Sequence, residues 1–330
     1  MHRSSHGRPI PTARVLALSL LAVALLSASS AQAAAHRVGQ SPAAVRAYWT
    51  AERMRGAIPA DRVRDHGPAT PAAKPGGGGG GGGSGSPLFT TFQAPLAELT
   101  TAPVSTNGRV FFSDGAQNYS CSGTAVQSSN QSVVLTAGHC VNQGPGSYFT
   151  NWTFAPAYND SSRPFGTWPA VALDTTTAWR TRGDFGRDVG AAVVAPNSSN
   201  TRLTQSVGAR SVTFNYTRNQ DYLAHGYPAE GKFNGQRLWI SDTSWSRDDT
   251  STAPATMGIP TNLNGGSSGG AWVVGNDYKS ASAPVASVNS YTYRGLKNVM
   301  FGPYLQSLTS SADDASDLLA RAGAVNPSSP

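Results

Sequence analysis

Residues 88–330 of this 330-residue chain predict an all-β body, a sandwich or a barrel. Short β-branched or aromatic runs recur at 110–112, 133–135, 191–194, 212–216, 238–241, 271–274 and 285–288, and Gly, Pro, Asn and Ser clusters separate them. No helical period alternates with them, which argues against βαβ units. Charge gives a further bound. Residues 1–87 carry ten Lys/Arg against three Asp/Glu, whereas residues 88–330 carry fifteen against fifteen. The body is formally neutral, which argues against a nucleic-acid partner and against a polybasic membrane-surface domain.

The first elements are an address and an arm. Arg3, Arg8 and Arg14 precede an apolar run from Val15 to Leu26, and Ala31-Gln32-Ala33 supplies a small-residue cleavage site. This order of charge, apolar core and small residues predicts a secretory signal over 1–33. A run of about a dozen residues falls short of the roughly twenty that span a bilayer. The expectation is a secreted, extracellular protein with no membrane attachment after signal removal. Residues 34–87 follow as a propeptide-like arm and Gly-rich linker. Ser41 and Pro42 predict the start of one helix over 42–57, with Ala44, Tyr48, Ala51 and Met54 on a shared face. The glycine tract 76–83 cannot pack a core. Two readings of this arm stand side by side: a surface spacer, or a propeptide that is removed or inhibits. At the other end, Ser311 as cap, Asp313 and Asp314 in the first turn and Gly323 as stop predict a short helix over 311–322.

The chemistry concentrates in three places. The body holds two histidines, His139 and His225. His139 lies in Leu135-Thr136-Ala137-Gly138-His139-Cys140, where a β-run enters a small-residue turn. Cys121 stands nineteen positions before Cys140. In an exported protein the pair predicts a disulfide that ties the strand before His139 to its turn, and closing such a loop stabilises by roughly 3 kcal/mol. The alternative is two buried thiols. Asn264-Gly265-Gly266-Ser267-Ser268-Gly269-Gly270-Ala271 is the second place. Its glycines allow backbone N–H groups to converge, as an oxyanion hole requires; the alternative is a loop without chemistry. The stretch also matches G-x-S-x-G around Ser268. No histidine follows His225, so an α/β-hydrolase triad cannot be assembled, and for the Asp-His-Ser order only Asp114 precedes His139 in the body. The order His, Asp, Ser remains. Its acid is expected at Asp188, which opens the apolar run Val189–Val194; Asp184 reads as a loop acid, and Asp174, Asp221 and Asp242 lack a comparable strand start.

Together these residues resemble the chymotrypsin/trypsin-like serine proteases. T-A-G-H-C at 136–140 matches the histidine motif, Cys121 its disulfide partner, Asp188 the aspartate motif, and Gly266-Ser267-Ser268-Gly269-Gly270 resembles G-D-S-G-G. His225-Gly226-Tyr227-Pro228 is similar to a segment of the bacterial glutamyl-endopeptidase branch, with His225 structural. The resemblance implies two packed six-stranded antiparallel β-barrels, about 88–200 and 201–305, ahead of the C-terminal helix. It implies Ser268 as nucleophile, His139 as base, Asp188 orienting it, and the amides of Gly266 and Ser268 as oxyanion donors. It implies a monomer acting on protein or peptide substrates through an acyl-enzyme, with no cofactor. Two departures stand out. Ser267 replaces the motif's Asp, so it cannot pair with a freed N-terminal amine. Asn262, six before Ser268, carries no charge where a trypsin-like pocket has Asp, and no histidine lies in 285–291 for glutamyl specificity. Asn262 and Val288 are the candidate pocket residues. No H-E-x-x-H motif is present, so no catalytic metal is expected; Asp248 and Asp249 read as a solvated turn rather than a calcium site. The alternatives to a secreted endopeptidase are a non-catalytic binding module on the same fold, or an esterase using the same triad.

Overall fold

The computed structural model describes residues 1–2, 35–61, 63–65, 88–308 and 313–328. The signal segment, the glycine tract and Ser311 lie outside the described residues. No described helix is long and apolar enough to cross a membrane.

The arm forms β1 (His36–Arg37), two short helices α1 (Pro42–Tyr48) and α2 (Ala51–Arg55), then β2 (Ile58–Pro59) and β3 (Val63–Arg64). Ser41 caps α1 as expected, its hydroxyl accepting from the Ala44 amide. The expected single helix is broken at Trp49 and Thr50, because the Thr50 hydroxyl caps a new turn by accepting from Arg53. The break also changes the buried face. Val45, Trp49, Met54 and Ala57 enter the core, while Ala44 and Ala51 do not.

The body begins with β4 (Phe89–Gln93), which crosses to the second half of the molecule and pairs with a strand there. The first half is built by β5 (Asn107–Ser113), β6 (Asn118–Val126), β7 (Val133–Thr136), β8 (Thr150–Pro156), β9 (Trp168–Thr175) and β10 (Gly190–Val194). Their order is β9-β10-β7-β6-β5-β8, and β8 pairs with β9, so the six-stranded antiparallel sheet closes into a barrel. Closure leaves no free edge among these strands. Every residue of β5, β7, β9 and β10 is buried. The arm strand β1 adds to β9, antiparallel, with His36 opposite Leu173.

Helix α3 (Thr177–Arg182) lies between β9 and β10 within the first half, and α4 (Leu203–Val207) lies on the connection to the second half. The second half carries β11 (Asp221–Gly226), β12 (Trp239–Ser244), β13 (Arg247–Asp249), β14 (Thr256–Pro260), β15 (Ala271–Val274), β16 (Val285–Val288), β17 (Thr292–Tyr293) and β18 (Val299–Gly302). One antiparallel sheet runs β16-β15-β11-β12-β4 and a second β13-β14-β18. The expected first-half boundary at residue 88 therefore shifts, since Phe92 pairs with Ile240. The expected strand at 212–216 does not form. Val212 makes one isolated bridge to Val285, and Asn215 takes a left-handed φ of 53° that turns the chain away.

The C-terminal helix α5 (Ala315–Ala324) starts later than its sequence signals suggest. Asp314 is its N-cap, accepting from Ser316 and Asp317. Asp313 instead accepts from the Thr177 and Ala178 amides at the start of α3. Gly323 lies inside the helix rather than ending it. The architecture is thus all-β with a short C-terminal helix, a closed barrel beside further antiparallel sheets.

Candidate active site

Topology places His139 next to Asp188. β7 and β10 are antiparallel neighbours with Thr136 opposite Gly190. His139 sits in the 3₁₀ turn that follows β7, and Asp188 ends the turn that precedes β10. The two turns therefore emerge side by side at one end of the barrel. Asp188 grips the histidine twice: its Oδ1 accepts the His139 backbone N–H at 2.8 Å, and its Oδ2 lies 2.7 Å from Nδ1. Both residues are buried. A carboxylate accepts only, so Nδ1 carries the proton and Nε2 is left as the basic nitrogen. Nε2 is buried and has no hydrogen-bond partner among the described residues. Ser290, just before β17, donates its hydroxyl to the same Asp188 Oδ2 at 2.5 Å.

The Ser268 loop joins β14 to β15, and side chains from both halves pin it. Ser122 of β6 donates its amide to the Ser268 carbonyl at 2.7 Å and its hydroxyl to the Gly266 carbonyl at 2.8 Å. Asn289 donates through Nδ2 to the carbonyls of Ser267 and His225, and its Oδ1 accepts from Trp272 Nε1 at 2.7 Å. Gly266 has a φ of 90°, and a Cβ there would stand 2.5 Å from the Tyr227 carbonyl oxygen. Only glycine fits, and its amide is thereby turned toward the cleft. Ser267 is buried against Gly226 with its hydroxyl unpartnered.

The Cys121–Cys140 disulfide is formed, with its Cα atoms 6.2 Å apart. It links β6, which holds the Ser268 loop, to the turn that carries His139. Cys121, His139 and Cys140 bring potential metal-ligand atoms within 4.8 Å of one another, but the disulfide consumes both thiolates. His225 is fully buried, with Nδ1 against the Leu223 and Ala271 carbonyls. Burial, with Arg210 adding to it, pushes its pKa down to about 3, so it stays neutral.

Two cavities adjoin along the cleft. Ser268, Asn264, Gly265, Ser290, Tyr291 and Met300 line one, and His139, Gln143, Phe112 and Tyr119 line the other; Asp61 of the arm lines both. Val288 does not reach either, being buried in the core opposite Ala271. Asn262 does not line them either, and its Oδ1 is buried without a partner. Asp249 is no solvated turn. It is fully buried and accepts from the hydroxyls of Tyr291 and Tyr293 and from Arg64. Burial alone would raise its pKa, but these hydroxyls and Ser251 hold it below the ordinary carboxylate range. Asp248 pairs with Arg218. Asp114 is an Asx turn accepting from the Ala116 and Gln117 amides.

Sequence reasoning did not single out Ser290, Asn289, Ser122 or Asp61. Each is a common polar residue without a local motif, and each acts across more than a hundred residues or between strands.

No protein-family model matches the chain. Among curated proteins, one of Bacillus subtilis (strain 168) named extracellular metalloprotease is 33% identical over 86 residues, 26% of either chain. The aligned stretch spans about a quarter of that relative's length. Solved structures match over far more. The protease Anisep from Arthrobacter nicotinovorans is 39% identical, with a TM-score of 0.61 over 68% of this chain and 99% of that one. The thermostable serine protease AL20 from an extremophilic microorganism is 42% identical, with a TM-score of 0.57 over 64% of this chain and 93% of that one. A Glu endopeptidase, 20% identical at a TM-score of 0.51, shares the fold. With identity of this order spanning nearly the whole of both protease relatives, the chain belongs to the chymotrypsin/trypsin-like serine proteases, in their bacterial branch.

Proposed function

We propose that this protease is a secreted endopeptidase that works through an acyl-enzyme on Ser268. The observation that carries the reading is the double grip of Asp188 on His139, which leaves Nε2 as the unpartnered base beside a cleft lined by Ser268. Ser268 Oγ attacks the scissile carbonyl carbon while Nε2 takes its proton. The imidazolium so formed is stabilised by the buried Asp188 carboxylate. Negative charge on the carbonyl oxygen is met by the amides of Gly266 and Ser268, each such donor contributing about 3 kcal/mol in the transition state. His139 then passes its proton to the leaving amine. Water repeats the sequence on the ester and frees Ser268.

Protein or peptide chains are the proposed substrates. Among the described residues the cavity beside Ser268 has no Lys, Arg or His in its lining, and Glu230 is part of that lining. An acidic side chain would find no counter-charge among these residues.

Casein hydrolysis by the purified chain and by Ser268→Ala tests the reading. Loss of all but a residual activity in Ser268→Ala is expected. Full activity in that variant would overturn the assignment of the nucleophile.

A further inference from the structure

The groove between the two halves already holds a peptide, and the peptide is this chain's own. β2 adds to β6 as a parallel strand, with Ile58 opposite Tyr119 and Pro59 opposite Ser120, and the Ala60 amide continues the ladder to the Ser120 carbonyl at 3.1 Å. β3 adds in parallel to β17, with Tyr293 opposite Arg64, and the Arg294 amide donates to the Arg64 carbonyl at 2.8 Å. Residues 58–60 pair with a strand of the first half and residues 63–64 with a strand of the second. Strand addition of this kind recognises extended peptides through the main chain.

Asp61 lies between these two pairings. Its Oδ1 accepts the Gly266 amide at 3.2 Å, the donor assigned above to the developing oxyanion. Its carboxylate packs on Gly265 so closely that a Cβ there would force the Asp61 side chain to move. With Asp61 in its lining, the cavity beside Ser268 is about 50 Å³, below the roughly 300 Å³ of a small ligand pocket. The far end is anchored separately. Arg64 pairs with buried Asp249 at 3.2 Å and lies over the rings of Phe185, Tyr291 and Tyr293 at 5.0–5.2 Å.

We propose that residues 58–61 and 63–65 act as an inhibitory strand that fills the substrate groove, with the Asp61 carboxyl group occupying the oxyanion hole and Arg64 locking the strand to the second half. The proposal rests on the serine-protease reading of Ser268 given above. A carboxyl group suits the task because its oxygen accepts from the amide donor without presenting an amide to the nucleophile. Its carbon is a poor electrophile, so the group that plugs the hole is not itself cleaved. The helices α1 and α2 and their buried Trp49 and Met54 hold the strand's leading end on the barrel, which raises its effective concentration at the groove.

The test uses the full chain, as wild type and as Asp61→Ala, Arg64→Ala and Arg55→Ala. Arg55 belongs to the arm but contacts Ser161 outside the groove. Two readouts are taken: the rate of Ser268 labelling by a fluorophosphonate, and hydrogen exchange of the Gly266 and Ser120 segments. We expect Asp61→Ala and Arg64→Ala each to raise the labelling rate by about tenfold or more, since each removes a hydrogen bond to or from a charged group. Exchange at Gly266 should rise in parallel, and Arg55→Ala should match wild type. Wild type labelling as fast as both groove variants would overturn the inhibitory strand while leaving the nucleophile assignment intact. Faster exchange with no labelling in any chain would remove both. Unchanged exchange in both groove variants would show that the strand is not held by these contacts and would overturn the proposal on its own.

Discussion

Ser290 and His139 meet on one oxygen: the Ser290 hydroxyl and the His139 Nδ1–H both converge on Asp188 Oδ2, at 2.5 and 2.7 Å. With the His139 amide on Oδ1, the carboxylate is held by three donors, one of them from the second half of the molecule. Ser290 is thus a positioning residue that ties the His–Asp pair to the strand lining the substrate cavity.

Removing this hydroxyl gives the first prediction. Ser290→Ala should lower kcat/KM by about tenfold, the worth of one hydrogen bond to a charged group. The loss should fall on kcat with KM nearly unchanged, because Ser290 acts through Asp188 on the base. A loss confined to KM would contradict this role.

Asn289 carries the second prediction. It is fully buried, and both ends of its amide are used. Asn289→Ala strands the Trp272 indole N–H and the His225 carbonyl and opens a void. A loss of about 3 kcal/mol in unfolding free energy is expected. Denaturant unfolding with a lowered midpoint and unchanged slope would show it; an unchanged midpoint would contradict the role given to this side chain.

The legible parts of the molecule were those written in short stretches. T-A-G-H-C, the glycines around Ser268 and the apolar run after Asp188 are each contiguous, and chain order together with that apolar run pairs His139 with Asp188. The runs at 133–135, 191–194, 271–274 and 285–288 lie within β7, β10, β15 and β16 because they are apolar on both faces and bounded by turn residues. The run at 212–216 carries Thr213 and Asn215 among its apolar residues; Asn215 turns the chain in a left-handed φ and Val212 makes only a lone bridge to Val285, so no strand forms. Trp49 reads as a residue inside a helix, yet burial of its ring and the Thr50 cap divide that helix. Asp249 reads as a solvated acid because its partners, Tyr291, Tyr293 and Arg64, lie far along the chain. Ser290, Asn289 and Ser122 are unreadable for the same reason, since a buried Ser or Asn looks like a surface one until its partners are known.

Asp61 supplies the third prediction. Burial, and then the Glu230 carboxyl beside it, push its pKa up to about 7, against the opposing pull of the Gly266 amide. Other titratable groups lining the two cavities are His139, Asp114, Tyr119 and Tyr291. A raised carboxyl pKa means that the docked strand prefers the protonated acid. Docking is therefore strongest below the free carboxyl's pKa of about 4 and weakens as pH rises toward about 7. The full chain should gain labelling rate between pH 5 and pH 8 more steeply than Asp61→Ala. Comparing the two removes the contribution of His139, which both share. Parallel profiles would contradict this placement of Asp61.

The central claim is that Ser268 is a nucleophile activated by His139. Intact mass and peptide mapping after fluorophosphonate treatment test it most directly, on the Asp61→Ala chain so that the groove is open. A single adduct on Ser268, absent when His139→Ala is added, is the predicted result. An adduct on another residue, or undiminished labelling of Ser268 without His139, would contradict the account.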